Sequence, residues 1–177
     1  MTTPPQMDRQ LAQITVAIST LDRPQSLADC LNTILSGERL PAEIVIVDQS
    51  QDDRTMMVVE NRKTHEVELK YVHHAGRGLG AAQNVAIAHA CYPIVAVTDD
   101  DCHPAPDWVV QIERAFAPPS QLDGLTGRVL PLGPDMPGTY AVSSRTSMLR
   151  VDFGRDAMPW DVGSGNNFAV KREWLSR

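Results

Sequence analysis

Residues 94–108 read IVAVTDDDCHPAPDW, a short apolar run that ends in three consecutive aspartates and leads into a segment opened by proline and acid. The apolar run predicts a buried strand, and the segment from 106 to 116 predicts a helix. Asp99, Asp100 and Asp101 repel one another, and burying any of them without a partner is costly. The turn between strand and helix is therefore either solvated or beside a cation.

The same order of apolar strand, polar turn and helix occurs four times along the chain. Predicted strands cover residues 14–18, 43–47, 69–72 and 94–98, and a stretch with helical character follows each of them, the second over about residues 49–63. A further strand is predicted at residues 127–132. Alternation with short connections predicts a three-layer α/β/α fold with a mostly parallel central sheet. In sheets of this kind, ligands bind at the carboxyl ends of the strands.

Length and composition predict one globular domain. The chain has 177 residues, of which 42% are hydrophobic and 21% are charged, which suffices for one sizeable core. We divide it into a polar tail, residues 1–13, and a single domain, residues 14–177. The strand–helix alternation occupies residues 14–117, and the character of the sequence changes in residues 118–177.

Charge and cysteine content exclude several classes of protein. A formal net charge of -6 and scattered basic residues argue against binding to nucleic acid. The three cysteines lack the spacing of a metal knuckle and suit a reducing compartment. Because the sequence has neither an apolar signal core nor an apolar run of the ~20 residues that span a membrane, we predict a cytoplasmic protein. Peripheral association with a membrane surface stays open.

Acidic residues follow three of the four predicted strands. Asp22 comes after the first strand, Asp48 after the second, and residues 99–101 after the fourth. Since parallel strands point the same way, these groups converge on one edge of the sheet. Mg²⁺ and Mn²⁺ take oxygen ligands and complete their shells with phosphate oxygens and water. The alternative, which we prefer for any single aspartate, is that these carboxylates cap helices.

The loop AGRGLGAAQN, residues 75–84, precedes the last of these strands and has three glycines around an arginine. Gly76, Gly78 and Gly80 allow close approach of a ligand to the backbone, and Arg77 suits phosphate. As a dinucleotide fingerprint the loop is imperfect, and by itself it is a weak signal that is more typical of a flexible turn. Next to an acidic cluster it gains weight, because a diphosphate requires both a cation and a donor-rich loop.

Four segments taken together resemble the inverting family 2 glycosyltransferases, which have the GT-A fold. VAISTLDRPQSLADCLNTIL and EIVIVDQSQDDRT resemble the first two strand–helix units of that family. GRGLGAAQNVAIAHACYPIVAVTDDDC resembles the helix that leads to its D-x-D motif, and GSGNNFAVKREWL resembles its acceptor-side segment. The resemblance covers residues 14–177, and the ordered set is far more specific than any one motif.

The resemblance implies a nucleotide-diphosphate-sugar donor held over a divalent cation. It places Thr20 and Asp48 against the nucleoside base, where Asp48 accepts a hydrogen bond from a ring N–H. It also places Asp99 and Asp100 towards the ribose and the diphosphate. An acceptor hydroxyl on a glycan, a lipid or a small molecule would then receive the sugar.

Asp101 closes the D-x-D pattern and is the implied ligand of Mn²⁺ or Mg²⁺, with Arg77 near the base or the pyrophosphate. Gln83 stands where the family usually has arginine, so neutralisation of the diphosphate depends more on the metal and Arg77. The implied mechanism is a single displacement in which a base deprotonates the acceptor. That base lies in an acidic segment that this chain does not reach, so we expect it beyond Arg177 and interpret the chain as the donor-binding portion of a longer enzyme.

Two other classes stay open on the sequence. One is a metal-dependent nucleotidyltransferase or phosphohydrolase on a similar sheet, although His103 stands where an aspartyl-phosphate hydrolase would carry threonine. The other is a nucleotide-binding module without catalysis, which the missing base favours. His103 could also join the metal, although Pro104 favours an ordinary loop histidine. We further expect Trp108 to pack beneath the sheet and Trp160 to face a ligand.

Overall fold

The computed structural model describes residues 10–133, 144–154, 156–157, 163 and 165–175. Most of the predicted tail and the expected ligand-facing Trp160 lie outside these residues. None of the helices in this part of the chain has the length and apolar character that crossing a membrane requires.

A six-stranded sheet in the order β3-β2-β1-β4-β6-β5 forms the centre of the molecule. The strands are β1 (Ala12–Thr20), β2 (Pro41–Asp48), β3 (Glu68–His73), β4 (Ile94–Asp99), β5 (Gly124–Thr126) and β6 (Asn167–Lys171). The first four are parallel to one another, whereas β6 runs antiparallel to β4 and β5 antiparallel to β6. The prediction of a mostly parallel α/β sheet is therefore confirmed.

Helices cover both faces of the sheet. They are α1 (Pro24–Leu35), α2 (Arg54–Glu60), α3 (Leu79–His89) and α4 (Trp108–Phe116), and a 3-10 turn spans Arg172–Trp174. Helices α1, α2 and α4 share one apolar cluster with the sheet, and α3 shares another. Trp108 packs against the first cluster, as expected.

The alternation of side chains along the strands explains the two clusters. Ile14, Val16 and Ile18 of β1 join the cluster with α1, whereas Ala17 joins the cluster with α3. Since successive side chains of a strand point to opposite faces, a strand covered on both sides must be apolar throughout. These short apolar runs therefore become the central strands.

Three predicted boundaries differ from the structure. Strand β1 begins at Ala12, two residues before the predicted start of the domain. Helix α2 is shorter than the predicted span of residues 49–63, because the backbone N–H of Arg54 bonds the Asp52 carboxylate and closes a turn before the helix. The strand predicted at residues 127–132 is instead β5 at Gly124–Thr126, followed by one isolated bridge at Val129. Pro131 has no N–H with which to extend the pairing.

Candidate functional site

The acidic residues converge because three strand ends adjoin. Strand β1 lies between β2 and β4, and Thr20 is in register with Asp48 while Ser19 is in register with Asp99. The turns that follow these strands therefore meet at the carboxyl edge of the sheet, where a ligand is expected. Asp22 also lies at this edge, where its backbone N–H donates to Ser50 Oγ at 2.8 Å.

Asp48 is held by a hydrogen-bonded turn at the end of β2. Its side chain is fully buried, and Oδ1 accepts from the backbone N–H and the hydroxyl of Ser50 at 2.9 and 2.5 Å. Oδ2 accepts from the Tyr71 hydroxyl of β3 at 2.8 Å. Burial raises the pKa of Tyr71, and the bond to Asp48 adds to this, so the phenol stays a proton donor. A carboxylate has about four acceptor positions, so roughly one remains, on Oδ2.

Asp100 faces the end of β1 rather than solvent. Its Oδ2 accepts from the Thr20 hydroxyl at 2.6 Å, and its Oδ1 lies 3.1 Å from Arg23 Nη1. Asp100 and Thr20 are both buried. Burial raises the pKa of the Asp100 carboxyl above its ordinary value, although the bond from Thr20 and the charge of Arg23 act in the opposite direction. Thr20 and Arg23 therefore keep this carboxylate in place.

Asp99 and Asp101 form a separate group with Cys102. One ligand atom of each residue lies within 4.8 Å of the others, and no other group of this kind occurs among the described residues. Burial raises the pKa of Asp99, and the charges of Asp101 and Asp100 raise it further. A divalent cation relieves both effects, so two carboxylates and a thiol in this arrangement fit such an ion. His103 is exposed and does not belong to the group.

The glycine loop lies against the turn that holds Asp48. Gln49 Nε2 donates to the carbonyl oxygen of Gly76 at 2.6 Å. Gly78 has a φ of 107°, a conformation that side chains rarely adopt, and α3 begins at the next residue. Arg77 is exposed between them. The loop thus opens α3 beside the end of β2, which is where the sequence predicts a phosphate-binding element.

Several residues of this edge escaped the sequence reasoning. Arg23 bridges the acidic turn, with Nη1 at 3.1 Å from Asp100 Oδ1 and 3.0 Å from Asp101 Oδ2. Its position in the turn after the first strand could have indicated this role. The sequence did not indicate a role for Tyr71, because its hydrogen bond to Asp48 crosses between neighbouring strands. It did not indicate one for Cys102 either, because the spacing of the cysteines does not reveal a group formed with the aspartates of one turn.

Replacing Thr20 with valine tests how strongly the buried Asp100 depends on its partner. Thr20→Val should lower the free energy of unfolding by about 1–2 kcal/mol, because the change removes a hydrogen bond to a buried carboxylate. Denaturation in urea measures the difference. Thr33→Val is the matched control, since the Thr33 hydroxyl donates only to a carbonyl within α1. Equal losses in the two variants would contradict the proposed dependence.

The arrangement of sheet, helices and acidic edge is the GT-A fold, as solved structures show. A mannosyltransferase from Pyrobaculum calidifontis, in complex with GDP-Man and Mn²⁺, is 23% identical with a TM-score of 0.64, over 95% of this chain and 47% of that one. TarS residues 1–349 from S. aureus, in complex with UDP, are 20% identical with a TM-score of 0.67, over 92% and 48%. Glucosyl-3-phosphoglycerate synthase from Mycobacterium tuberculosis, with Mn²⁺, UDP and glucosyl-3-phosphoglycerate, is 16% identical with a TM-score of 0.57, over 90% and 57%.

The chain belongs to glycosyl transferase family 2, whose family model matches residues 15–121. The chain spans about half the length of the solved structures named above. Comparison with curated proteins finds no significant match. The resemblance on which the sequence-based interpretation depends is thereby confirmed at the level of family and fold.

Proposed function

We propose that this chain binds a nucleotide-diphosphate-sugar over a divalent cation and forms the donor side of an inverting glycosyltransferase. The observation that carries the proposal is the convergence of Asp99, Asp101 and Cys102 within 4.8 Å at the carboxyl edge of the sheet. The mannosyltransferase and the synthase named above, which share the fold, were solved with Mn²⁺ and a nucleotide. Mn²⁺ or Mg²⁺ is therefore the proposed cation.

The cation would be held by Asp101, as the resemblance implies, and also by Asp99, which the resemblance places towards the ribose and diphosphate but which lies in the same group as Asp101. The cation would supply positive charge to the departing nucleoside diphosphate. Asp100 would face the ribose and the diphosphate side, in the position that Thr20 and Arg23 maintain. The resemblance places Thr20 against the nucleoside base, but its hydroxyl donates to Asp100, so Thr20 would act on the donor through that carboxylate.

The nucleoside base would lie against the turn at the end of β2. One acceptor position of Asp48 Oδ2 is not used by these donors and suits a ring N–H, which would reach this fully buried carboxylate after a shift of the turn that follows β2. The loop around Gly76 lies against Gln49 of the same turn, so Arg77 and the start of α3 would lie near the base or the pyrophosphate. Since Gln83 is uncharged, Arg77 would supply the positively charged side chain of this loop.

In this proposal, transfer proceeds by a single displacement at the anomeric carbon. The bond from the sugar to the diphosphate breaks as the bond to the acceptor oxygen forms, and the acceptor proton passes to a base. The acceptor is a hydroxyl compound, and its identity depends on the region after Gly133.

Calorimetric titration of the 177-residue chain with UDP, GDP and dTDP, each with and without Mn²⁺, tests the proposal. One nucleotide should bind at least about tenfold more tightly with Mn²⁺, since the ion neutralises both the acidic turn and the diphosphate. The absence of metal-dependent binding of any of the three would refute the proposal. Nucleotide binding by the chain without transfer of sugar from the corresponding nucleotide-sugar would instead favour a nucleotide-binding module.

A further inference from the structure

We propose that the sulfur of Cys102 is a third protein ligand of the cation at the acidic turn. The proposal rests on the metal site of the proposed function and adds a thiolate to its two carboxylates. It makes the site prefer thiophilic ions such as Zn²⁺ and Co²⁺ over Mg²⁺.

The turn after β4 brings Cys102 back towards the strand. Its backbone N–H donates to the carbonyl oxygen of Asp99 at 3.2 Å, which closes a tight turn over residues 99–102. Its sulfur and one carboxylate oxygen each of Asp99 and Asp101 are mutually within 4.8 Å. Ligands at about 2.0–2.3 Å from one zinc ion lie roughly 3.5 Å apart, so small side-chain rotations suffice to close the site.

The neighbouring Asp100 does not belong to the group that could hold the ion, so Cys102 is its third member. The Asp100 carboxylate is turned towards Thr20 and Arg23. The ligand set that the backbone presents is therefore carboxylate, carboxylate and thiol. Arg23 Nη1 contacts both Asp101 and Asp100, and because its side chain is 56% exposed it can release Asp101 when an ion arrives and keep its contact with Asp100.

Ligand chemistry determines the expected selectivity. A thiol binds a metal by releasing its proton and donating a sulfur lone pair, with no change in oxidation state. Zn²⁺ and Co²⁺ gain from a sulfur ligand, whereas Mg²⁺ binds oxygen and retains water. The loss of the sulfur should therefore weaken Zn²⁺ and Co²⁺ and leave Mg²⁺ nearly unchanged.

Neither of the other two cysteines belongs to the group that could hold the ion. Cys30 is fully buried under α1, where its thiol donates to the carbonyl oxygen of Asp99 at 3.6 Å from the core side of the turn. Cys91 is exposed and contacts Lys70 Nζ at 3.1 Å, just before β4 begins and thus at the opposite end of that strand from the acidic turn. Cys91→Ser is accordingly the matched control for Cys102→Ser.

Absorption of the full chain during titration with Co²⁺ tests the proposal, because thiolate ligation of Co²⁺ produces a charge-transfer band in the near ultraviolet. The unchanged chain and Cys91→Ser should both develop the band. Cys102→Ser should lose it and bind Co²⁺ and Zn²⁺ at least about tenfold more weakly, with the affinity for Mg²⁺ within about twofold. Calorimetry of the same samples reports binding independently of the band.

The possible failures are distinguishable. If Co²⁺ and Mn²⁺ bind but no thiolate band forms, or if the band persists in Cys102→Ser, Cys102 is not a ligand and the inference is refuted while the proposed function stands. If none of these ions binds to the unchanged chain, the metal site itself is absent, and both proposals are refuted.

Discussion

Asp101→Asn is expected to weaken Mn²⁺ binding by at least about a hundredfold and to remove the Mn²⁺ dependence of nucleotide binding. Asp101 is one of two carboxylates in the group that could hold the ion. Replacing it with an amide removes a full negative charge from a direct ligand, whereas even indirect partners of a metal contribute up to about a hundredfold. Calorimetric titration with Mn²⁺, and then with the best-binding nucleotide in its presence, measures both effects.

The same substitution should leave the fold intact. Asp101 is exposed, and its ion pair with Arg23 is exposed on both sides, so the pair contributes at most about 1 kcal/mol to stability. Thermal unfolding without metal checks this. Asp156→Asn, at an exposed aspartate that does not belong to the group, is the control for nonspecific loss of charge. Unchanged metal-dependent affinity in Asp101→Asn would show that the acidic turn does not hold the cation.

Glu43→Gln is expected to lower the free energy of unfolding by about 2–4 kcal/mol, somewhat less than the roughly 3–5 kcal/mol for breaking a fully buried ion pair, because the Lys70 side chain is 27% exposed. Glu43 is fully buried in β2, where it forms an ion pair with Lys70 of β3. It also accepts from the Thr15 hydroxyl at 2.5 Å and from the backbone N–H of Cys91 at 2.9 Å. The neutral amide of glutamine cannot form an ion pair with Lys70. Its NH₂ group would also face hydrogen-bond donors that the carboxylate now accepts from.

The destabilisation should depend on pH. Burial by itself would raise the pKa of Glu43, but the bonds from Lys70 and Thr15 lower it below its ordinary value. A carboxyl with a lower pKa in the folded state stabilises the fold above its unfolded pKa, which is about 4.3, and loses this contribution as the pH falls through the folded value. The difference in the free energy of unfolding between the unchanged chain and Glu43→Gln should therefore be largest at pH 7 and decrease below about pH 4.

Urea denaturation at a series of pH values measures this difference. Glu68→Gln is the matched control, because Glu68 is exposed and lies 3.7 Å from the same lysine. We expect it to change the free energy of unfolding by less than about 0.5 kcal/mol. A Glu43→Gln effect as small as that of the control would mean that the buried pair does not stabilise the fold.

The local sequence pattern predicted the core of this fold well. The apolar runs around Val16, Ile44 and Val95 become buried strands, because a run of β-branched residues bounded by turn residues has few other ways to bury its surface. The antiparallel pairing of β6 with β4 was not predictable in the same way. The position of β6 depends on pairing between residues about 70 apart in sequence, which periodicity does not report.

The buried ion pair illustrates the same limit within a single strand. Glu43 stands at the start of the run EIVIV, where a charged residue reads as the solvated end of a strand. It is buried because Thr15, Lys70 and Cys91 converge on it from three other segments. A single segment carries no information about those partners.

The sequence by itself determined that acidic groups gather at one edge of a parallel sheet, because strand direction brings the residues after each strand to the same side. Only the tertiary structure decided how three adjacent aspartates divide their roles. Asp100 turns inward to Thr20, while Asp99 and Asp101 face Cys102. The direction of each side chain follows from the backbone of the turn and from its partners, Thr20 at the end of β1 and Arg23 just before α1. Neither is encoded in the order of the residues within the turn.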